Sequence, residues 1–163
     1  MERGYIKVDG KRIDFPEGIR VIDRYIIMDL MLPEGMTPGA AVISEIEERR
    51  GNVSFLGEKE CYLRDKLEEV YLPDSLRLID SNTFNSCWEL KRVLVPEECS
   101  LAYIGSGAFN DCENLAKFAL DECYDLQFIG EAAFYRTRLL EEDFTDIRGY
   151  KSEDAFSERW WND

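Results

Sequence analysis

The chain has 163 residues, of which 45% are hydrophobic and 33% charged, and it carries a formal net charge of −14 with no histidine. This composition indicates one folded domain with a sizeable core. The acidic balance repels phosphate backbones, so we expect no nucleic-acid partner, and the absence of histidine excludes a His-dependent catalytic triad. No apolar run approaches the roughly 20 residues of a membrane-spanning helix, so we expect no membrane insertion.

The first residues predict a β-hairpin. Two short alternating segments within residues 5–13 are separated by Asp9-Gly10, a pair that suits the positive φ values of a type I′ turn. We therefore interpret residues 1–14 as an N-terminal cap.

Residues 15–36 predict a shortened repeat. The stretch 15–23 echoes the stretch 72–80, with a Phe/Leu-Pro start and an Ile-Asp end in both. Residues 37–51 then depart from the pattern and predict an irregular insertion, in which 42–46 is either a strand or a short helix, with a strand favoured. Atypical units are expected near the end of a repeat array, where one side faces solvent.

Three later segments, 76–90, 101–115 and 126–140, repeat one another. Leu, Ile, Phe and Leu recur in them at a spacing of 25, and Cys87 and Cys112 take equivalent positions. A fixed period of this length predicts a solenoid, because one unit cannot bury its apolar face without stacking on its neighbours. We expect regular repeats over residues 52–144, within a single domain that spans 1–163.

Each repeat opens with a strand signal, at 67–72, 90–95 and 115–120. The signal is followed by a turn and by an Ile-Gly corner, and Gly105 and Gly130 at these corners predict a backbone with positive φ. Alternation along the strands points six apolar side chains inward: Val70, Leu72, Val93, Val95, Phe118 and Leu120.

The repeat resembles the BspA-type leucine-rich repeat family, whose unit runs approximately LxxVxIPxSVxxIGxxAFxxCxxL. The matching residues are Ile104-Gly105, Ala108-Phe109, Cys112, Ile129-Gly130 and Ala133-Phe134. The resemblance covers roughly residues 53–144. It implies a leucine-rich-repeat-like solenoid, with short parallel strands on one face and turns and short helical segments on the other. It also implies a role in recognition or adhesion, as in proteins of bacteria and some protists.

The residues between the inward positions predict a protein-binding face. Each strand signal has two such outward residues. The first of the two forms a charged column along the stack of repeats, and the second forms an apolar column. An apolar column exposed on a sheet is typical of an interface, whereas the alternative is a solvated face whose ions pair across the strands. The predicted face comprises Glu69, Tyr71, Arg92, Leu94, Lys117, Ala119, Glu142 and Phe144.

Residues 145–163 predict a C-terminal cap or tail. Ser152 suits the N-cap of a helix that would place Phe156 and Trp160 on one side. This segment either covers the last repeat, or Trp160 and Trp161 act as an aromatic tail that contacts a partner.

No motif predicts catalysis, a metal or a cofactor. The chain has no glycine-rich phosphate loop, no CxxC pair for zinc and no calcium-binding loop. Neighbouring acids such as Glu68 and Glu69 point to opposite sides of a strand and do not form a general acid–base pair. We therefore expect no enzymatic activity and no cofactor.

Five cysteines, an odd number, leave the redox state open. Cys87 with Cys112, and Cys99 with Cys123, fall on successive repeats and are either free thiols or disulfides; Cys61 is left over.

These patterns predict a non-enzymatic protein–protein interaction module. One alternative is a small acidic inhibitor or immunity protein that neutralises a basic protein such as a toxin or nuclease, which the net charge of −14 favours. Another is a fragment of a surface adhesion protein. The N-terminus shows no signal peptide, so we expect a cytoplasmic protein, or a secreted or cell-surface one if an export signal was removed. The oligomeric state stays open.

Overall fold

Two sheets enclose the core of the computed structural model, which describes residues 3–31, 66–144 and 146–162. The predicted insertion at 37–51 lies outside the described residues, as does Cys61. Within the described ranges, no helix has both the length and the apolar character that a membrane span requires.

The first sheet contains the N-terminal hairpin and the strand signals of the repeats. Its order is β2-β1-β4-β6-β8. β1 runs antiparallel to both of its neighbours, whereas β4, β6 and β8 are parallel. The strands are β1 (Tyr5–Val8), β2 (Lys11–Asp14), β4 (Leu67–Tyr71), β6 (Arg92–Leu94) and β8 (Lys117–Phe118).

The second sheet is built from strands of two residues, all parallel, in the order β10-β9-β7-β5-β3. β3, β5, β7 and β9 each contribute one isoleucine to the core and one residue to the outside, whereas β10 has the exposed Tyr150 and the half-buried Lys151. The strands are β3 (Val21–Ile22), β5 (Leu78–Ile79), β7 (Tyr103–Ile104), β9 (Phe128–Ile129) and β10 (Tyr150–Lys151).

The predicted solenoid is confirmed, with one difference on its second side. Where short helical segments were expected, the structure has the second parallel sheet. Described helical structure is limited to α1 (Arg24–Leu30) and two 3₁₀ turns, Leu120–Glu122 and Glu141–Asp143. Successive copies of the Ile-containing segment pair with one another as strands, so their backbone groups are bonded between turns.

The hairpin cap is confirmed. Asp9 and Gly10 have φ values of 50° and 79°, as a type I′ turn requires, and Val8 pairs with Lys11 across it. β1 then pairs with β4 and covers the edge of the parallel sheet. Covering this edge pairs β4 within the chain and leaves β2, which is mostly exposed and charged, as the outermost strand.

The core is a column of stacked phenylalanines between the two sheets. Phe109 lies 5.1 Å from Phe84 and 5.3 Å from Phe134, measured between ring centroids, and Phe156 continues the stack 5.2 Å beyond Phe134. Of the six residues predicted to point inward, five are buried and Val95 is half-buried against the core. Each turn therefore contributes one ring to a continuous stack.

The expectation of positive φ at Gly105 and Gly130 is wrong. These glycines are needed because neighbouring turns approach closely: a Cβ would lie 2.4 Å from the Ser81 nitrogen in one case and 2.6 Å from the Ser106 nitrogen in the other. The repeated positive φ values occur instead at Asn82, Gly107 and Ala132, and again at Ser86, Asp111 and Arg136.

The predicted helix after Ser152 is also wrong. The Ser152 hydroxyl donates to Asp154 and the Ala155 N–H donates to the Ser152 carbonyl, which forms a single turn. β10 has already paired with β9, so the chain enters this turn extended and continues the solenoid. Phe156 then forms a parallel bridge with Phe134 instead of facing Trp160 along a helix.

Candidate interaction surfaces

The outward side chains of β4, β6 and the β8 region form the predicted binding face, which we call the first face. Parallel pairing places Glu69 beside Arg92 and Arg92 beside Lys117, and it places Tyr71 beside Leu94. Arg92 and Lys117 are exposed, whereas Tyr71, Leu94 and Ala119 are half-buried. The structure thus brings together the middle part of the predicted face.

Glu69 is not exposed as expected; only 7% of its surface is accessible. Strand β1 pairs with β4, which places the Tyr5 hydroxyl 3.1 Å from the Glu69 carboxylate, to which it donates, and the Arg92 Nε donates to the other oxygen. Burial opposes ionisation, but hydrogen bonds from Arg92 and Tyr5 and the charges of Arg92 and Lys7 outweigh it, so the pKa of Glu69 is lowered. Glu69 therefore fastens the cap to the solenoid.

Glu142 and Phe144 do not continue the two columns of the first face. Glu142 lies in the 3₁₀ turn Glu141–Asp143, and Phe144 is half-buried, with its ring 6.0 Å from that of Phe156. The described first face ends near Ala119 for this reason.

The C-terminal tail folds back onto the last turns. The Trp160 indole N–H donates to the Thr137 carbonyl at 2.8 Å, and the Arg136 guanidinium lies 4.5 Å from the Trp160 ring centroid. Trp161 packs edge-on against Trp160 and lies 5.3 Å from Arg138. Both tryptophans are half-buried. Trp160 and Trp161 thus contact the end of the solenoid.

A second exposed column, which the sequence reasoning missed, follows the outer side of the second sheet. We call it the aromatic ladder, and its members are Val21, Leu78, Tyr103, Phe128 and Tyr150. Its rings stack face to face, with centroids 4.7 Å apart for Tyr103–Phe128 and 5.6 Å apart for Phe128–Tyr150. Exposure reaches 43% at Val21 and 62% at Tyr150. The available signal was the apolar residue directly before each repeated Ile, or before Lys151 in the last turn.

Three exposed arginines flank the aromatic ladder. Arg20 and Arg77 directly precede Val21 and Leu78, and the Arg77 N–H donates to the Arg20 carbonyl, so the two residues are neighbours on adjacent turns. Arg148 lies two residues before Tyr150 and packs over the exposed Tyr124 ring. Among the described ion pairs, none involves these arginines. Arginines therefore border the ladder on the side where its strands begin, on a chain whose net charge is −14.

Among the described residues, no group of three or more Cys, Asp or Glu side chains is arranged to hold a metal ion. The cysteines Cys87, Cys99, Cys112 and Cys123 are free thiols.

The comparisons with known proteins agree with the geometry. A family model for the BspA type leucine rich repeat region, with six copies, matches residues 50–159. The match extends past Phe144, where the sequence pattern was expected to end, and it includes β10 and Phe156. No curated protein and no solved structure matches the chain.

Proposed function

Because the chain belongs to the BspA-type leucine-rich repeat family, a repeat class that commonly serves protein interaction or adhesion, we propose that it is a non-enzymatic recognition module that binds a protein through the aromatic ladder. The observation that carries this proposal is the stacked, partly exposed column Tyr103–Phe128–Tyr150 on a sheet whose strands are bonded turn by turn.

The ladder has the properties of interface anchors. Aromatic side chains provide a large contact area for few rotatable bonds, and rings already stacked lose little further freedom on binding. Tyr103 and Phe128 are half-buried, so the sheet holds them in place, while Tyr150 presents most of its surface. A partner that covers the column gains apolar burial at small conformational cost.

The occupant that fits this surface is an acidic protein segment with apolar side chains. Apolar groups would cover the rings, and carboxylates would face Arg20, Arg77 and Arg148 at the border. Exposed arginines favour carboxylates through paired hydrogen bonds. A local positive border also steers an acidic partner to this side, away from the acidic remainder of the chain.

A second candidate function is neutralisation of a basic protein, which the net charge of −14 favours. Such a partner would avoid the arginine border and contact an acidic surface elsewhere. The sign of the change in affinity when Arg20 and Arg77 are reversed in charge separates the two candidates, whereas added salt weakens both interactions. A cytoplasmic location remains a separate proposal, because neither mode of recognition depends on the compartment.

The experiment compares two double variants that remove side chains of similar exposure from the two faces. Tyr103→Ser with Phe128→Ser removes the centre of the ladder, and Tyr71→Ser with Leu94→Ser removes the centre of the first face. Wild type and variants serve as bait for quantitative capture from the source cells. The recovered partner is then purified and titrated against each chain by calorimetry.

We expect the ladder variant to lose about 30-fold or more in affinity, as an anchor worth about 2 kcal/mol implies, while the first-face variant binds like wild type. Circular dichroism checks that both variants fold. Loss of binding in the first-face variant alone would move the site to β4, β6 and β8. Retention in both variants would exclude both faces.

Charge reversal tests the nature of the partner. Arg20→Glu with Arg77→Glu changes two exposed side chains and leaves the core intact. For an acidic partner we expect slower association and lower affinity, and weaker wild-type binding at high salt. Tighter binding of this variant would identify a basic partner and overturn the acidic assignment.

A further inference from the structure

Two thiols lie close together on successive turns of the solenoid, and one of them, Cys123, donates to the Ala119 carbonyl at the end of the first face at 3.6 Å. The sulfurs of Cys99 and Cys123 are 3.8 Å apart. Cys123 follows the 3₁₀ turn Leu120–Glu122, and Cys99 occupies the corresponding turn one repeat earlier. Cys99 is half-buried and Cys123 is buried, so only one of the two is open to solvent.

This placement suits a disulfide bond. A disulfide needs sulfurs at about 2.05 Å, so the two atoms must approach by about 1.8 Å from their present separation. Adjacent strands of a sheet lie about 4.8 Å apart, which is within the Cα spacing that a disulfide spans. Both cysteines lie in turns outside the strands. Side-chain rotation and a small adjustment of a turn can therefore close the gap without disturbing strand pairing.

The two thiols differ in reactivity. The hydrogen bond between the two sulfurs lowers the pKa of the Cys99 thiol, despite its partial burial. The same hydrogen bond, together with burial, raises the pKa of Cys123. The attacking thiolate must be reached by the oxidant, so Cys99, the thiol open to solvent, is the attacking group and the buried Cys123 the resolving one.

Cys87 and Cys112 provide an internal comparison. Both are fully buried at equivalent repeat positions, and the Cys112 thiol donates to the Phe84 carbonyl at 3.0 Å. Burial raises the pKa of Cys112 well above its usual value. Neither sulfur is accessible to an oxidant, so this pair is expected to stay reduced while the chain is folded.

We propose that Cys99 and Cys123 form a reversible dithiol–disulfide site that is oxidised by a small-molecule disulfide such as oxidised glutathione. The Cys99 thiolate attacks one glutathione sulfur, forms a mixed disulfide and releases one glutathione thiolate. Cys123 loses its proton and attacks the Cys99 sulfur, which releases the second glutathione. Two electrons pass from the cysteines to the oxidant, and the two cysteine protons end on two glutathione thiols.

The bond would join two consecutive repeats on either side of β7. It closes a loop of the chain and restricts the unfolded state, so the oxidised protein should resist denaturation more than the reduced one. The aromatic ladder contains neither cysteine, so this proposal does not rest on the proposed binding function.

The test equilibrates the folded full-length chain with buffers of varied glutathione redox ratio, quenches it by alkylation and digests it without reductant. Chymotrypsin is suitable because it cuts after Phe109, between Cys99 and Cys112. We expect a Cys99–Cys123 cross-linked peptide at oxidising ratios that disappears at reducing ratios. Cys87 and Cys112 should remain alkylated throughout.

Two substitutions check the order of the steps. Cys123→Ser should retain glutathione on Cys99, and Cys99→Ser should suppress uptake at Cys123. Cys87→Ala is the matched control and should leave the cross-link unchanged. Absence of the Cys99–Cys123 peptide in the fully oxidised folded chain, or cross-links spread over Cys87 and Cys112, overturns the proposal.

Discussion

The two sheets share one core but differ on their outer sides. In the first sheet, β1 of the hairpin covers the edge, and it draws the acidic Glu69 into hydrogen bonds with Tyr5 and Arg92. In the second sheet all five strands are parallel, and each contributes one outward residue to a column that is apolar throughout. A two-residue strand leaves a single outward position per turn. An apolar residue that recurs at this position in every turn therefore forms a continuous ladder.

The comparison separates two kinds of constraint. Inward positions must repeat because every turn meets the same neighbours, which gives the phenylalanine stack through Phe84, Phe109 and Phe134. Outward positions do not have to repeat in this way. The first sheet uses its outward positions to fasten a cap, and the second leaves them available for contact. Four substitutions test this division, in order of decreasing effect.

Phe109→Ala should destabilise both sheets together. The ring packs between Phe84 and Phe134 and meets Phe118 edge-on at 5.5 Å, so its removal leaves a large cavity between the sheets. We expect a loss of about 3–5 kcal/mol in the free energy of unfolding, measured by urea denaturation. Tyr135→Ala, at an exposed position, is the control. Separate transitions for the two sheets in hydrogen exchange would contradict a shared core.

Glu69→Gln should lower the free energy of unfolding by removing a contact that belongs to the first sheet only. The neutral amide loses the charge-assisted bond from Arg92, at a cost of about 1–3 kcal/mol in urea denaturation at pH 7. Glu97→Gln, an exposed acid, should change little. An equal effect of both substitutions would show that Glu69 does not fasten the cap.

The same carboxylate predicts a pH dependence. Its pKa in the fold lies below the ordinary value of 4.5, so its contribution to stability is present above that value and is lost as the pH falls through the folded pKa. The stability difference between wild type and Glu69→Gln should therefore shrink in acid. A difference that stays constant from neutral pH to strong acid would contradict this.

Phe128→Leu should lower the stability of the chain by removing ring contacts that belong to the second sheet only. Leucine keeps apolar contact but loses the ring stacking on Tyr103 and Tyr150, which corresponds to about 1 kcal/mol in thermal unfolding. Tyr124→Leu alters an exposed ring outside the ladder and is the control. If both changes are neutral, the stacked rings add nothing to stability and only the binding role remains.

Ala132→Gly should stabilise the chain slightly. Ala132 has a φ of 53° at the position where the preceding repeat has Gly107, and a left-handed backbone strains any residue with a Cβ. Removal of this strain is partly offset by the greater freedom of glycine in the unfolded chain. We expect a net gain of about 0.5–1 kcal/mol in the free energy of unfolding. Ala116→Gly, at an exposed site without positive φ, should instead destabilise. Calorimetry distinguishes the two signs.

Much of the fold could be predicted because its signals are local or periodic. The spacing of Ile79, Ile104 and Ile129 predicted stacking, and Asp9-Gly10 predicted the hairpin turn, because turn geometry depends on two residues. The candidate surfaces were predicted less well. Alternation identified Tyr71 and Leu94 but was applied only to the first strand of each repeat, and the residue before each repeated Ile was not considered, so the ladder was missed.

Other features depended on neighbours that a periodic pattern does not contain. Gly105 is glycine because the backbone of Ser81 lies against it, a contact between turns that has no local signal. The helix expected after Ser152 does not form, because β10 pairs with β9, a segment more than 20 residues away.

The amino-acid sequence by itself determined the period, the inward residues and the repeat family, because a repeated apolar pattern has one way to bury itself, by stacking on its own copies. Only the tertiary structure decided that Glu69 is enclosed, that Tyr103, Phe128 and Tyr150 form one partly exposed stack, and that Cys99 meets Cys123. These three outcomes depend on which backbone lies beside which and in what register, a property of the assembled turns and not of any single repeat.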